Sequence, residues 1–310
     1  MNETSDENIN NYKEISFNDF IKILWNYKFF ILFITALISI FSVYYSLSIP
    51  NKYVSKAVVY VEDPSGNGSA SIPSGYSNLA SLAGINIQKG SVDMTSVVIE
   101  RIRSKSFLKS LLDFEMVLPN LMAVNEYDQI NQKITYIEND YDSITNTWIR
   151  ETPHGRSKVP SHIEAHEYYL KMLDIKLNKV NNFITLSVTH KSPAFSHYFL
   201  DLIVRQINQI SRDVDIKEAE SAMVFLNNYL KSATPNDLKE LTNALISSKL
   251  KSIMIANIDA EYLVKTLDAP YLPEKKSSPN RTIICILGFI FGLFLSVFLS
   301  LIHNFLKSSK

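Results

Sequence analysis

Two stretches of the chain lack any polar rhythm. Phe29–Ile49 (FFILFITALISIFSVYYSLSI) and Thr282–Ile302 (TIICILGFIFGLFLSVFLSLI) contain no charged residue. As helix, about 21 residues at 1.5 Å each cover roughly 31 Å, the thickness of a hydrocarbon core. A helix of a soluble domain normally keeps a polar face, and neither run has one. Lys28 and Lys52 flank the first run, with Trp25, Tyr27, Tyr44 and Tyr45 where interfacial aromatics belong. Arg281 precedes the second run, and His303 and Lys307 follow it. The first run is too long for a signal-peptide core. It follows a stretch carrying Glu3, Asp6, Glu7 and Glu14, and no small-residue cleavage site comes after it, so it is expected to stay. Two spans, 29–49 and 282–302, put both tails on one side. Lys13, Lys22, Lys28, Lys307 and Lys310 on the tails balance Lys52, Lys56, Lys275, Lys276 and Arg281 on the inner flanks. Long loops translocate largely regardless of charge, so the short tails (1–28 and 303–310) decide and are expected in the cytoplasm.

Between the spans, residues 50–281 read as a folded domain. Tyr53–Glu62 (YVSKAVVYVE) alternates as a strand does. The Gly/Ser/Pro run Asp63–Ser77 predicts a surface loop, and Leu79–Ile87 (LASLAGINI) a small apolar patch. A helix is predicted over Asp93–Arg103, with Ser91 or Ser96 as its cap, and a short one over Ser106–Leu112. Pro119–Pro160 is rich in Asn, Asp, Tyr and Pro, and its pattern assigns no elements. Leu173–Val180 and Phe183–His190 alternate on either side of Asn181-Asn182, which predicts a hairpin.

From Ser192, a capping residue before Pro193, the period becomes helical. Phe195, Phe199, Leu202, Ile203, Ile207, Ile210 and Val214 recur, then Ala222, Leu226 and Tyr229, predicting one helix to Lys231. Thr234-Pro235-Asn236-Asp237 breaks it. A second helix is predicted from Leu238 to about Leu267, through Leu241, Leu245, Ile246, Leu250, Met254, Ile258 and Tyr262. Such lengths predict an elongated stalk over 193–267, with a second apolar face for a neighbouring copy. Asp268–Arg281 (DAPYLPEKKSSPNR) contains Pro270, Pro273 and Pro279 and predicts a short, semi-rigid tether.

Composition narrows the function. The 310 residues carry 31 Lys+Arg and 31 Asp+Glu, so the surplus of positive charge that a nucleic-acid binder needs is missing. The one cysteine, Cys285, lies in the second apolar run, where it can form no intrachain disulfide and an apolar setting keeps a thiol inert. No GxxxxGK[ST] occurs, and His303–Lys310 is too short for a kinase or output domain. His162 and His166 share a helix face, with His154 as a third candidate, but Glu164 is misplaced for a zincin, and metal is not expected. Glu138, Asp140 and Asp142 read as a solvated loop rather than a glycosidase pair. No catalytic residue, metal or cofactor is therefore expected. Gly288 and Gly292 (GFIFG) form a GxxxG pair that lets another helix approach closely.

Taken in order, Ile15–Val61, Leu79–Ile87, Asn181–Asn208, Asp215–Leu230 and the segment APYLPEKKSSPNR before the second span resemble the chain-length determinant family, the Wzz-type polysaccharide co-polymerases. That resemblance implies an α+β fold: a membrane-proximal α/β base with long projecting helices, anchored by the two spans in an inner membrane and assembled as a ring-like homo-oligomer. It implies a regulator of O-antigen length beside the O-antigen polymerase and its undecaprenyl-linked glycan. The functional parts it points to map onto Pro270, Pro273, Pro279, Gly288 and Gly292. The kinase-bearing branch is not matched. An adaptor for capsule or exopolysaccharide export with a separate tyrosine kinase is the second reading, a periplasmic ligand sensor the third, and an enzyme the last.

Overall fold

The computed structural model describes residues 24–62, 93–153, 155–232 and 236–308. The expected loop 63–77, the patch 79–87, His154 and the Thr234-Pro235 break lie outside them. The chain divides into two compact units, Met1–Pro50 with Ser278–Lys310 and Asn51–Ser277.

The first unit contains α1 (Lys28–Ser48) and α8 (Arg281–Ser308). Their apolar windows are only 17% and 11% buried. A core helix of a soluble protein would be covered, so length, composition and exposure together fit a membrane-anchored protein.

The second unit is built on β1 (Tyr53–Val61), β6 (Leu173–Leu177), β7 (Ile184–His190) and β8 (Val264–Asp268), an antiparallel sheet in the order β6-β7-β1-β8. Strand β1 turns Tyr53, Ser55, Ala57 and Val59 inward, as its period-two pattern requires. Its register pairs Tyr53 with His190 at one end and Val59 with Ile184 towards the other. Helix α6 (Pro193–Ser232) covers β1 and β7 with Phe195, Phe199, Leu202, Ile203 and Ile207, all buried. Three shorter helices complete this core: α2 (Met94–Arg103), α3 (Lys105–Leu112) and α5 (His162–Met172).

The caps follow side-chain chemistry. Asp93, rather than Ser91 or Ser96, caps α2 by accepting from the Thr95 amide; Ser96 Oγ donates to its other oxygen, and that bond holds the carboxyl below its usual range. Ser104 caps α3, two residues before the start that the sequence pattern gives it. Ser192 caps α6 at the Phe195 amide. Ser161 and Glu164 form a capping box on α5.

The first surprise is the end of the stalk. The second long helix, α7 (Asn236–Ile258), stops at Ile258, and Val264–Asp268 is a strand rather than a continuation to Leu267. Arg212 on α6 donates to the Asp259 and Ala260 carbonyls at 2.6 and 3.1 Å, and Asp259 Oδ1 accepts from the Glu261 amide, so the helix end is claimed by other partners. The spacing of Met254, Ile258 and Tyr262 happens to continue the helical period, while Tyr262, Leu263 and Val264 are buried in the sheet core. Helices α6 and α7, about 60 and 35 Å long at 1.5 Å per residue, pack together and bury Ala219, Leu226, Leu245 and Ala256.

The second surprise is Pro119–Pro160, whose described residues form regular elements. It holds α4 (Val117–Met122) and two consecutive hairpins, β2 (Val124–Asp128) with β3 (Lys133–Tyr136) and β4 (Tyr141–Asp142) with β5 (Thr147–Trp148). Their turns are twins. Asp128 accepts from the Ile130 and Asn131 amides, and Asp142 from the Ile144 and Thr145 amides. Four residues on, Gln132 and Asn146 take positive φ at 52° and 53°. The β6–β7 turn repeats the device, with Asn178 accepting from Val180 and Asn182 at φ 58°.

His190 ties these parts together. Its Nδ1 accepts from the Ser192 amide, which can only donate, so Nε2 carries the proton and gives it to the Asn120 carbonyl at 2.9 Å. Burial pushes its pKa down to about 4, so the fold holds it neutral. An unfolded chain takes up that proton below about 6.5 while the folded one does not, so stability is complete above pH 6.5 and falls as pH drops towards 4. Between pH 6.5 and 5 this costs about 2 kcal/mol. His190→Asn, which keeps an acceptor for Ser192, is expected to be less stable at pH 7.5 but flatter with pH. Melting curves of both proteins in mild detergent at pH 7.5 and 5 measure it; equal pH slopes would remove His190 as the acid-sensitive group.

Candidate functional site: the helix seam and the proline segment

Within the first unit, α1 and α8 meet along a line of small residues. An added Cβ at Gly288 would lie 2.2 Å from Ser42 Oγ and 2.4 Å from Ser42 Cβ; one at Gly292 would lie 3.1 Å from Ile38 Cβ and 3.5 Å from Thr35 Cα. The sequence leaves open which helix the GxxxG pair faces; in the structure it faces α1 of the same chain. Ser296 and Ser300 extend the four-residue spacing, and both are buried. Across the seam, Thr35, Ser42 and Ser46 are the buried residues of α1.

The seam is also bonded. Ser42 Oγ donates to the Ile284 carbonyl at 3.0 Å, and the Thr35 and Ser296 hydroxyls share a bond at 3.1 Å. Further hydroxyl protons go to carbonyls one turn back in their own helix, Ser39 to Thr35 and Ser300 to Val297. Small side chains allow the close approach and hydroxyls bond across it, which is how helices associate where no hydrophobic effect draws them together. Ser296 and Ser300 are legible as a continuation of the glycine spacing, whereas Thr35 and Ser42 lie on the other helix and only the packing singles them out. At one end, the Tyr27 and His303 rings meet edge to face at 5.6 Å, and Lys28 Nζ sits 4.6 Å from the Trp25 ring centroid.

The proline segment falls partly in each unit. In the second unit it is an edge of the sheet rather than a free tether. Asp268, expected to open the tether, ends β8 opposite Val58. Ser55 Oγ donates to the Tyr271 carbonyl at 2.8 Å, and the Ser277 amide donates to the Lys52 carbonyl at 2.8 Å. Pro270 is half-buried and Pro273 buried beside this run. A proline suits the outer edge because it has no N–H to leave unpaired. In the first unit, Pro279 precedes Asn280, whose carbonyl accepts from the Ile284 amide at the start of α8. Pro270 and Pro273 thus belong to the second unit, and Pro279 with the seam glycines to the first.

Two weaker candidates are occupied elsewhere. His166 Nε2 bonds the Arg103 carbonyl at 2.7 Å, and among the described residues no His/Cys/Asp/Glu cluster could hold a metal. The Asp142 carboxylate forms its turn, and the bond from Thr145 lowers its pKa; Glu164 is paired with Arg150 at 2.7 Å inside the α5 cap. On the long helices, Val224, Phe225 and Tyr229 of α6 and Leu250, Met254 and Ile258 of α7 are exposed, an apolar face that α6–α7 packing does not use.

Comparison with known proteins adds three findings. Residues 13–114 match the family model Wzz, chain length determinant protein. The fold is similar to a full-length bacterial polysaccharide co-polymerase at 14% identity, with TM-score 0.46, covering 94% of this chain and 99% of that one. It is also similar to a fragment of WzzB, the polysaccharide co-polymerase from Salmonella Typhimurium, at 15% identity, with TM-score 0.33, covering 74% of this chain and 100% of that one. No curated protein matches by sequence.

Proposed function

We propose that this chain, which carries a Wzz-type chain length determinant domain over residues 13–114, is a non-catalytic regulator of polysaccharide length that sets the modal length of lipopolysaccharide O-antigen. The family match carries the reading, and two apolar helices bracketing a mixed helix/sheet unit support it. In this reading α1 and α8 lie in the inner membrane, both tails face the cytoplasm, and residues 51–277 stand in the periplasm. Several copies assemble side by side through the unused apolar face of α6 and α7, beside the O-antigen polymerase and its undecaprenyl-linked glycan. A scaffold of fixed reach then biases when the growing polymer leaves the polymerase. The Pro270–Pro279 segment and the Gly288/Gly292 seam are the parts on which this function depends.

Deleting the gene in its host tests this. The expected result is loss of the modal band cluster in the lipopolysaccharide ladder on a gel, restored by the wild-type gene in trans. An unchanged ladder sinks the O-antigen assignment; an unchanged ladder with altered capsule and a kinase co-purifying through the tails moves the function to capsule export.

A further inference from the structure

Three hairpin turns in this protein share one geometry: an Asx acceptor, an aliphatic residue two positions on and a positive φ two positions later. The aliphatic residues are Ile130, Ile144 and Val180, exposed to 92%, 91% and 96%. A lone exposed isoleucine means little. The tips at Ile130 and Val180 differ in where the fold puts them, and that difference carries the inference.

The Ile130 tip sits at the end of the sheet from which the chain leaves towards both apolar helices. Gln129, its neighbour, donates to the Tyr53 hydroxyl, and the Tyr53 and Tyr127 rings meet edge to face at 6.1 Å. Lys191 Nζ fastens the base of the hairpin by donating to the Val124 and Asn125 carbonyls at 2.8 and 2.7 Å. Tyr53 follows the last residue of α1 by five positions, at most about 17 Å of extended chain. On the other exit, Ser277 is bonded to Lys52, and α8 begins four residues later at Arg281. Val180, by contrast, lies in the turn beyond Ile184, at the opposite end of β7 from the His190–Tyr53 pair.

The chemistry at this end also suits a lipid interface. Lys52, Lys133, Lys275 and Lys276 are exposed there or on the adjoining chain, ready for anionic headgroups. The one carboxylate in the turn, Asp128, accepts from Asn131 Nδ2 at 2.6 Å and from the Asn131 and Ile130 amides, bonds that hold its pKa below the usual carboxylate range and turn its oxygens to use within the turn while it stays charged. An aliphatic tip backed by tyrosines and lysines fits the headgroup–acyl boundary.

We propose that the β2–β3 hairpin is a membrane-surface contact that inserts Ile130 into the lipid interface, while the equivalent tip at Val180 stays in water. It rests on the membrane-anchored reading, and its partner is the bilayer.

The test places single cysteines at positions 130 and 180, and at 40 in α1, in full-length Cys285→Ser protein. Each is labelled with an environment-sensitive fluorophore, and the protein is reconstituted in phosphatidylethanolamine/phosphatidylglycerol vesicles with or without nitroxide-bearing lipids. The expected result is strong quenching at 40, several-fold more quenching at 130 than at 180, and a blue-shifted emission at 130 but not at 180. Quenching at 40 with 130 no different from 180 overturns the tip contact and leaves the anchoring intact. A blue shift at 130 without lipid quenching overturns it in favour of a neighbouring copy. No quenching at 40 overturns the anchoring, and the tip contact with it.

Discussion

Gly288→Ala is expected to push α1 and α8 apart, and Ser42→Gly in the same chain to bring them back together. The new Cβ would lie 2.4 Å from Ser42 Cβ, an atom that no rotamer change of Ser42 can move, so the helices themselves must separate. Overpacking of this kind costs about 1–3 kcal/mol. Removing the Ser42 side chain empties the spot, because Ser42 Cα is 3.9 Å away, within ordinary contact distance. Ser42→Gly alone gives up the bond to the Ile284 carbonyl, worth only about 0.6 kcal/mol between membrane helices. Melting in mild detergent should therefore rank wild type above Ser42→Gly, the double variant close to Ser42→Gly, and Gly288→Ala lowest. A double variant as unstable as Gly288→Ala would mean that the two helices do not meet at this seam. Under the proposed function, the lipopolysaccharide ladder should lose its modal cluster in Gly288→Ala and regain it in the double variant.

What the sequence made legible was set by how local the determinants are. The apolar runs, the alternation of Tyr53–Glu62 and the Ser192-Pro193 start of α6 are decided within a few neighbours, and the structure places elements there. The β6–β7 hairpin is also local, although its strands are shorter than the alternating pattern and its turn runs from Asn178 to Phe183. Strand β8 was missed because five residues can be claimed by a helical period, and only pairing with β1, some two hundred residues earlier, makes Val264–Asp268 a strand. The twin hairpins were missed for a different reason. YDQINQ and YDSITN repeat fourteen residues apart, each with an Asp that organises the next amides, so an internal comparison of the segment would have found them. At the seam, GxxxG was read as a pair although its spacing runs on through Ser296 and Ser300.

Asn208→Leu is expected to be among the most damaging single substitutions in the second unit. Nothing in the sequence marks this residue, one Asn on a 40-residue helix. In the fold it is 3% exposed, and it does for the outer edge of β8 what a fifth strand would do. Its Nδ2 donates to the Val264 carbonyl at 2.8 Å, while its Oδ1 accepts from the Leu263 and Val264 amides at 2.9 and 2.7 Å. Leucine fills nearly the same volume but returns none of these bonds. Three buried backbone groups left without partners, at about 1–3 kcal/mol each, put the loss at roughly 3 kcal/mol or more. For a unit of this size that lowers the melting temperature by about 10 °C. Gln209→Ala, which removes two exposed bonds, one to Asp213 and a long one from Arg212, is the control and should shift it little. Equal melting temperatures for Asn208→Leu and Gln209→Ala would mean that β8 holds to the sheet without the clamp. The loss also has a direction: β8 continues into the Pro270–Ser277 edge, so freeing it frees the chain's path into α8. Under the proposed function that path has to be fixed, because a scaffold hung on a loose link has no defined reach.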